Sequence, residues 1–442
     1  MAETSPSAFE QELSVIKKLI WGDDIKPDIF RRWSQGFYFS TSEPTALEQS
    51  EGGPCAIIAP VQAFILKNLL LKYKDLSFRD KAATPEMQDL LLVNALSEIL
   101  EQCSSQKYYV VYLNSDLNDA SNGLLSDLDR YVVGNGLTVE PEAATFHENL
   151  HIHTFQNMEE VRKYYLDNIQ LLKSQYGILL FLYSVIMTRG LEGVKSDNSN
   201  DTSEPFIDDT YGYGSQSLIN LMITGRSTTY VWDHEQDVDG LKLKGLEKQS
   251  QIGFITTMEH LRYCTVGSFY KNPIHPVWVL GSDTHLTVLF STERRLVSPE
   301  TKTDQAKRVF KHFDPDGNNF ISSSLLQDVL QALDLVSEEA YVDIMKRRLD
   351  PENLGIILLN SFMDEFFPRE DNPMPDLFSL VHYNGLAQSN LDGQIRYRIG
   401  ECVLLESDLR AVSESNPMLT VLQTKWPNIE IRWNELGTPS LN

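Results

Sequence analysis

The chain has 442 residues, of which 42% are hydrophobic, and its 38 basic residues stand against 62 acidic ones. This length accommodates two or three domains of about 150 residues, and the apolar fraction is sufficient for a large core. The formal net charge of −24 makes nucleic acid and anionic membrane surfaces poor partners, whereas a basic protein partner would be attracted.

The four cysteines, Cys55, Cys103, Cys264 and Cys402, are far apart and contain no C-x-x-C pair. They indicate neither a zinc site nor a disulfide framework, so we expect no metal and no other cofactor. The first residues lack the basic and apolar regions of a signal peptide, and the longest apolar run, residues 178–187, is too short to cross a bilayer. We therefore expect an intracellular protein, in the cytoplasm or the nucleus, whose thiols are reduced.

Helical spacing of apolar residues predicts a first helix that ends at Trp21, before Gly22. A second apolar helix is predicted over residues 57–71, directly after the sequence QSEGGPCA. The two glycines and the proline of that sequence predict a tight turn, which places Cys55 where the turn enters the helix. The dipole and the unpaired N–H groups of a helix N-terminus stabilise a thiolate, so this position predicts a lowered thiol pKa and a nucleophilic cysteine.

Gln49 lies six residues before Cys55, which is the spacing that papain-like cysteine hydrolases use for an oxyanion donor. A lone cysteine beside glycine and proline is, however, usually a small buried hydrophobe. Spacing alone therefore leaves both interpretations open, and a partner histidine is needed to favour catalysis.

Apolar periodicity predicts further helices over residues 85–101, 161–187, 217–224 and 254–263, the second of them broken or double. Residues 107–113 are predicted to form a strand. Clusters of Asn, Ser, Asp and Gly predict loops over residues 114–148 and 192–205, and we expect the second loop to be mobile.

Residues 276–280 and 285–291 have the composition of two strands, and the sequence GSDT between them predicts a β-hairpin. Alternation along the second strand points His285 away from the apolar side chains that face a core. His285 would then lie on a rigid element at the mouth of the hairpin, and imidazole exchanges protons near neutral pH. A hydrogen-bonded structural histidine is the alternative, and the presence of Cys55 is what makes His285 the candidate general base.

Residues 303–367 contain two consecutive helix–loop–helix patterns of the EF-hand kind. Their loops begin at Asp314 and Asp350, and Ile321 and Ile357 occupy the loop position at which paired EF-hands meet as short strands. This region favours, as an alternative function, a noncatalytic EF-hand-type adaptor.

The calcium ligands of these two loops are incomplete. Calcium takes about six to eight oxygen ligands, and the twelfth loop position normally supplies a bidentate glutamate. That position is Leu325 in the first loop and Ser361 in the second. Asn319 stands at the sixth position of the first loop, where glycine is normal, and Leu354 replaces the fifth ligand of the second. We therefore expect an EF-hand-like scaffold without tight calcium binding.

Three strands are predicted near the end of the sequence, over residues 378–383, 395–405 and 429–433. We expect these strands to complete the core that begins before residue 300 and not to form a separate domain. The predicted domains are a catalytic core over residues 1–300, a degenerate paired EF-hand-like insertion over residues 301–368, and strands over residues 369–442 that complete the core.

Gln49, the turn EGGPCA, the run GSQSLINLMITG and the hairpin GSDTHLTV together resemble the MINDY family of deubiquitinases. The resemblance extends over essentially the whole chain, including QTKWPNIEI and PSLN, and is strongest to a family form with an EF-hand-like insertion. It implies an α+β fold with a papain-like cysteine protease core and a helical EF-hand-like insertion.

The resemblance also implies a cysteine isopeptidase that cleaves polyubiquitin linked through ubiquitin's lysine forty-eight and works on long chains. Cys55 would be the nucleophile, His285 the general base and Gln49 the oxyanion-hole residue, with a resting thiolate–imidazolium pair as one expectation. The third triad residue is unassigned: Asp283 is close in sequence, and an Asn, Asp or Gln elsewhere is the alternative.

The implied partners are ubiquitin and polyubiquitin chains, with no nucleic acid, no membrane and a monomeric enzyme. No ubiquitin-interacting helix of the kind that two paralogues carry is evident near the end of the sequence, so a long-chain preference needs another source. A papain-like peptidase with other substrates and a transglutaminase are further alternatives.

Overall fold

The computed structural model describes residues 8–104, 106–113, 142–198, 204–238, 240–297, 302–314, 318–368, 374–405, 416–435 and 437–442. These residues form a mixed helix and sheet structure, so the α+β class is confirmed. The chain divides into two compact units. Unit 1 contains the described residues up to Glu293, those from Leu377 to Leu404 and those from Asn416 onward, and unit 2 contains those from Arg294 to Asp376 with Leu405.

Unit 1 begins with helices that lead to a long buried one. The elements are α1 (Ala8–Trp21), α2 (Pro27–Trp33), β1 (Tyr38–Phe39), β2 (Leu47–Glu48), α3 (Cys55–Tyr73), α4 (Phe78–Lys81) and α5 (Pro85–Cys103). α1 ends where predicted, because Gly22 takes a φ of 76° that stops the helix. α3 is apolar on every side and buried along most of its length. This helix is long and apolar enough to cross a membrane, but a buried core helix of a soluble protein can have the same length and composition.

More helices pack around α3, with two small sheets beside them. The elements are β3 (Tyr108–Leu113), α6 (Ala143–Glu148), β4 (Leu150–Phe155), α7 (Met158–Asp167), α8 (Gln170–Lys173), α9 (Gly177–Arg189), α10 (Leu191–Asp197), α11 (Gln216–Thr224), β5 (Glu235–Val238) and β6 (Leu241–Lys244). The strand predicted over residues 107–113 and the helix predicted over residues 217–224 are confirmed. Helices α5, α9 and α11 contact α3, so apolar surfaces enclose the core helix.

Two regions that were predicted to be loops contain the helices α6 and α10, so those predictions are wrong there. In α6, the buried Phe146 ring lies 5.6 Å from the Phe30 ring. In α10, Val194 is buried and the carboxylate of Asp197 pairs with Arg189 at 2.5 Å. Tertiary packing thus stabilises helices that the polar local sequence disfavours. The rest of the two regions, residues 114–141 and 199–203, lies outside the described residues.

The next elements of unit 1 are β7 (Gly253–Thr256), α12 (Thr257–His260), α13 (Ser268–Lys271), β8 (Val277–Gly281) and β9 (Leu286–Phe290). The predicted hairpin is confirmed, since β8 and β9 pair antiparallel with residues 282–285 as the connecting loop. The helix predicted over residues 254–263 is wrong at its start. There β7 pairs in parallel with β8, with Phe254 opposite Val279, and the β-branched Ile255 and Thr256 favour this strand.

Unit 2 consists of two helix–strand–helix segments with an apolar core of their own. The elements are α14 (Lys302–His312), β10 (Phe320–Ser322), α15 (Leu326–Ala332), α16 (Glu339–Leu349), β11 (Ile356–Leu358) and α17 (Leu359–Phe366). The predicted meeting of the two loops is confirmed, because β10 and β11 pair antiparallel with Ile321 opposite Ile357. The core of unit 2 includes Phe310 and Phe362, whose rings lie 5.2 Å apart.

Each loop of unit 2 turns at a sixth-position residue with positive φ, Asn319 at 60° and Gly355 at 77°. The first-position carboxylates close the loops. Asp314 accepts the backbone N–H groups of residues 318 and 319, and Asp350 accepts those of residues 354 and 355. In the described residues of both loops, the first-position carboxylate therefore already serves as the acceptor for loop N–H groups at equivalent positions.

The last elements of unit 1 are β12 (Leu377–Tyr383), β13 (Arg398–Leu404), α18 (Pro417–Gln423) and β14 (Ile429–Trp433). They extend the sheet of β7 to β9 into six strands in the order β14-β13-β12-β9-β8-β7. All neighbours in this sheet are antiparallel except β7 and β8. Helix α3 contacts β8 and β9, so the N-terminal helices and the C-terminal strands share one core.

Candidate active site

Cys55 is the first residue of α3, as the turn sequence predicted. The turn needs its glycine, because Gly53 has a φ of 137° and a Cβ there would lie 3.2 Å from the Trp33 indole nitrogen. That nitrogen in turn donates a 2.9 Å hydrogen bond to the Gly212 carbonyl. The turn is therefore held between α2 and the loop that precedes α11, and the cysteine is fixed at the helix N-terminus.

The Cys55 side chain is 4% exposed, and this burial raises the pKa of its thiol to about 11. Backbone N–H groups of Leu286, Ala56 and Cys55 oppose the shift, since they stabilise the thiolate. The predicted lowering of the thiol pKa is therefore wrong for this conformation. The donors expected at a helix N-terminus are present, but the loss of solvation outweighs them.

The Leu286 N–H at the sulfur joins Cys55 to the hairpin, because Leu286 is the first residue of β9 and directly follows His285. The hairpin loop is closed by Ser282, whose N–H donates to the His285 carbonyl at 2.9 Å. The His285 N–H donates back to the Ser282 hydroxyl oxygen at 3.1 Å. The hairpin therefore places His285 one residue before the N–H group that reaches the Cys55 sulfur.

The imidazole of His285 is 5% exposed, and its Nε2 lies 3.0 Å from Oδ1 of Asn384. Burial lowers the pKa of His285 to about 4, and the Asn384 hydrogen bond only partly opposes this shift. A neutral imidazole with Nε2–H directed at an amide oxygen leaves Nδ1 as its basic nitrogen. The ring is thus prepared to accept a proton at Nδ1.

Asn384 is the residue that sequence reasoning did not single out. It follows β12, whose Tyr383 pairs with Val288 of β9, and this register brings Asn384 next to the start of β9. The nearby alternative Asp283 is directed elsewhere, since its Oδ1 accepts a hydrogen bond from the Thr257 hydroxyl at 3.3 Å. The only sequence signal was an amide at the end of a predicted strand, and this signal is common.

The orientation of the Asn384 amide is determined at both ends. Its Oδ1 accepts the Leu386 N–H at 3.0 Å, and its Nδ2 donates to the Ser440 carbonyl at 3.2 Å. A flipped amide would place a donor against the first group and an acceptor against the second. His285 therefore faces an oxygen, which requires the proton on Nε2.

Gln49 lies on the segment that pairs with the loop after Asn384. Its backbone N–H donates to the Gly385 carbonyl at 2.8 Å, and it forms an isolated bridge with Leu386. The side chain is buried, and Nε2 donates to the Glu51 carbonyl at 2.8 Å within the turn that precedes Cys55. The side-chain amide has two N–H bonds and uses one of them for the Glu51 carbonyl, so the other remains available as a hydrogen-bond donor.

Three distant parts of unit 1 therefore meet at one place: the turn at the start of α3, the hairpin before β9 and the loop after β12. A buried thiol, an imidazole with a basic nitrogen, an orienting amide and further N–H donors are the groups that acyl transfer by cysteine requires. Among the described residues, no group of three or more His, Cys, Asp or Glu side chains could hold a metal ion.

Similarity to known proteins agrees with this chemistry. The domain described as "Deubiquitinating enzyme MINDY-3/4, conserved domain" matches residues 17–314. The chain is 51% identical to the ubiquitin carboxyl-terminal hydrolase MINDY-3 homolog of Drosophila melanogaster, over 98% of this chain and 83% of that protein. It is 44% identical to the human ubiquitin carboxyl-terminal hydrolase MINDY-3, over 97% of this chain and 98% of that protein. No solved structure is significantly similar to the chain.

A more distant relative is the probable ubiquitin carboxyl-terminal hydrolase MINDY-4 of Xenopus tropicalis, which is 29% identical over 64% of this chain and 37% of that protein. The near full-length matches and the domain match give the same assignment. The chain belongs to the MINDY-3/4 family of deubiquitinating enzymes, as its sequence motifs predicted.

Proposed function

We propose that this protein is a cysteine isopeptidase that hydrolyses the bond between the C-terminal glycine of ubiquitin and a lysine amine in polyubiquitin. The observation that carries the proposal is the meeting of Cys55, at the N-terminus of α3, with the hydrogen-bonded pair of His285 and Asn384. Membership of a family of deubiquitinating enzymes supports ubiquitin as the acyl group.

The resting site holds a neutral thiol and a neutral imidazole, because burial raises the Cys55 pKa to about 11 and lowers the His285 pKa to about 4. Proton transfer from Sγ to Nδ1 of His285 then takes place in the substrate complex, as the sulfur attacks the glycine carbonyl carbon. The proposed resting state is therefore this neutral pair and not the thiolate–imidazolium pair that was expected from the sequence.

The tetrahedral intermediate carries a negative oxygen next to the N-terminus of α3. The Cys55 backbone N–H and the Gln49 side-chain amide are the proposed donors to this oxygen, and each donor is worth about 3 kcal/mol. The intermediate collapses with cleavage of the C–N bond, and the imidazolium of His285 gives its proton to the leaving lysine amine. Water then attacks the thioester, with His285 as the base, and releases the ubiquitin carboxylate and the free thiol.

The architecture proposed for this reaction is a papain-like core, because a helix that begins with the nucleophile packs against the sheet whose strands position the base and its amide partner. The segment between the two parts of this core is proposed to be a degenerate paired EF-hand. The equivalent hydrogen bonds of Asp314 and Asp350 and the pairing of β10 with β11 support that assignment.

The preference for chains linked through lysine forty-eight rests on the family resemblance alone. We propose a monomeric intracellular enzyme whose partners are ubiquitin and polyubiquitin. A panel of ubiquitin dimers of each linkage, digested under identical conditions, tests the preference. Equal cleavage of all linkages would remove it without affecting the chemistry.

The chemistry is tested with ubiquitin that carries a cysteine-reactive group in place of its C-terminal carboxylate. We expect one adduct per chain, located at Cys55 by mass spectrometry, and no adduct with Cys55→Ala. The matched control is Cys264→Ala, because Cys264 is more exposed than Cys55 and would react first in a nonspecific reaction. Polyubiquitin cleavage that survives Cys55→Ala would refute the proposed function.

A further inference from the structure

A short segment near the end of the described chain contacts both elements that carry the imidazole and its partner. The Ser440 carbonyl accepts the Asn384 Nδ2–H at 3.2 Å. Two residues later, Oδ1 of Asn442 accepts hydrogen bonds from the hydroxyls of Ser282, at 2.5 Å, and Thr284, at 3.3 Å. Residues 437–442, here called the strap, therefore join the hairpin loop before His285 to the loop after β12.

The strap has a defined conformation of its own. Side chains alternate between buried and exposed, with Pro439 and Leu441 buried and Ser440 and Asn442 exposed. The Ser440 hydroxyl donates to the Asn442 carbonyl at 2.7 Å and accepts the Asn442 N–H at 3.1 Å. Two apolar anchors and an internal turn thus hold the strap so that its polar groups face the site.

The hydroxyl of Ser282 is where the strap acts on the hairpin. A hydroxyl has one hydrogen to donate and two lone pairs to accept with. When Ser282 donates to Asn442, its lone pairs remain for the His285 N–H, which lies 3.1 Å away, so the backbone of the histidine is fixed. Loss of the Asn442 acceptor leaves this hydroxyl free to turn toward the His285 carbonyl, which lies 3.1 Å away.

The carbonyl of Ser440 is where the strap acts on the amide. This carbonyl accepts a hydrogen bond from Nδ2 of Asn384. It therefore favours the amide orientation in which Oδ1 faces His285 and the imidazole carries its proton on Nε2. The side of the strap toward the sheet borders a cavity of about 220 Å³, lined among others by His382 and Arg398.

We propose that the strap is a positioning element of the isopeptidase reaction, which holds His285 and Asn384 in the arrangement that receives the thiol proton. The inference rests on the proposed function, because it assigns a role in the same Cys55 and His285 chemistry. Ser440 contacts Asn384 and Asn442 contacts the hairpin loop, so both act through the histidine and its amide partner.

The test compares Asn442→Leu, which removes the acceptor at similar size, with Asn442→Asp, which keeps an acceptor oxygen. The full chain is used, and the substrate is a polyubiquitin chain. Since small displacements of reacting groups cost large factors in rate, we expect kcat to fall about tenfold in Asn442→Leu, with KM within about twofold. Asn442→Asp is expected to restore most of the rate, and Glu430→Gln, at an exposed position of β14 outside the strap, to change nothing.

A spectroscopic readout separates positioning from general loss of structure. The ring nitrogen shifts of ¹⁵N-labelled His285 report which nitrogen is protonated. We expect a single Nε2–H form in the wild type, and a mixture of forms after deletion of residues 438–442. A thermal unfolding midpoint measured on each variant identifies any that has lost its fold.

The outcomes distinguish the two proposals. Unchanged kcat and unchanged His285 shifts in both Asn442→Leu and the deletion, with Cys55→Ala inactive, would refute the strap and leave the proposed function intact. Equal losses in Asn442→Leu and Asn442→Asp would refute the acceptor role of Asn442. Cleavage that survives Cys55→Ala would refute the proposed function itself.

Discussion

His285 Nε2 lies 3.0 Å from Asn384 Oδ1, although the two residues are 99 positions apart in the sequence. The contact exists because β9 and β12 are neighbours in one antiparallel sheet. Since the amide orientation is determined by Leu386 and Ser440, the contact determines the tautomer of His285. A residue far from the thiol in sequence thus decides which imidazole nitrogen can act as the base.

The first prediction concerns Asn384→Ala. Without the amide oxygen the imidazole loses its fixed orientation and tautomer, so we expect kcat for polyubiquitin cleavage to fall about 100-fold with little change in KM. Steady-state kinetics with a thermal unfolding control measure this. Ser389→Ala, on the same loop, is the matched control and should keep the wild-type rate. A rate for Asn384→Ala close to that of Ser389→Ala would exclude an orienting role.

The second prediction separates oxyanion stabilisation from thiol reactivity. Gln49→Ala removes the proposed side-chain donor, so we expect kcat to fall by about 10²-fold. Alkylation of Cys55 by iodoacetamide forms no oxyanion, so its rate should stay within about twofold of wild type. Site-resolved mass spectrometry gives the alkylation rate. If both rates fell together, Gln49 would be shaping the turn and not stabilising charge.

The third prediction follows from the Cys55 pKa of about 11. At neutral pH the resting enzyme contains almost no thiolate, so alkylation of Cys55 should be slow and should rise about tenfold per pH unit toward that value. Time courses at a series of pH values, with the more exposed Cys264 as the internal reference, provide the measurement. A plateau of fast alkylation below neutral pH would instead indicate a preformed thiolate–imidazolium pair.

The fourth prediction concerns stability in acid. His147 is partly buried, with Nδ1 at the Ala143 carbonyl and Nε2 at the Tyr183 hydroxyl, and this burial lowers its pKa to about 4 from a usual 6.5. Between these values the unfolded chain binds a proton that the folded chain does not. This contribution to stability is therefore complete above the unfolded pKa and is lost as pH falls from 6.5 toward 4.

The size of this loss is about 2 kcal/mol between about pH 7 and about pH 5. Urea unfolding at the two pH values measures it. His147→Gln keeps a polar side chain but cannot be protonated. Between the two pH values we therefore expect the free energy of unfolding of this variant to fall by about 2 kcal/mol less than that of the wild type. Identical pH dependence in the two proteins would show that His147 is not protonated on unfolding in this range.

The fifth prediction concerns calcium at the second loop of unit 2. Asp350 accepts two loop N–H groups, while Leu354 and Ser361 supply no carboxylate at the fifth and twelfth positions. We expect no heat of binding and no change in the unfolding midpoint at calcium concentrations of about 1 mM. The variant with Leu354→Asp and Ser361→Glu restores both ligands, and we expect measurable binding there. Strong binding by the wild type would contradict this account.

Much of the local structure was predictable from the sequence. Helical periodicity predicted α1, α5 and α11, and strand composition predicted β3 and the hairpin of β8 and β9. The predictions failed where distant contacts decide the conformation. β7 is a strand because it pairs with β8, and α6 and α10 are helices because their few apolar or paired side chains are buried by other parts of unit 1.

The sequence by itself determined where the candidate nucleophile and base lie, because turn residues before a helix and a polar loop between two strands are local signals. Only the tertiary structure decided that Asn384 is the partner of His285, and that the strap contacts both Asn384 and the hairpin loop before His285. It also reversed the expected direction of the Cys55 pKa shift. The physical reason is that desolvation and strand pairing depend on residues far apart in the sequence, such as His285 and Asn384, whereas the residue types that favour a turn are a local signal.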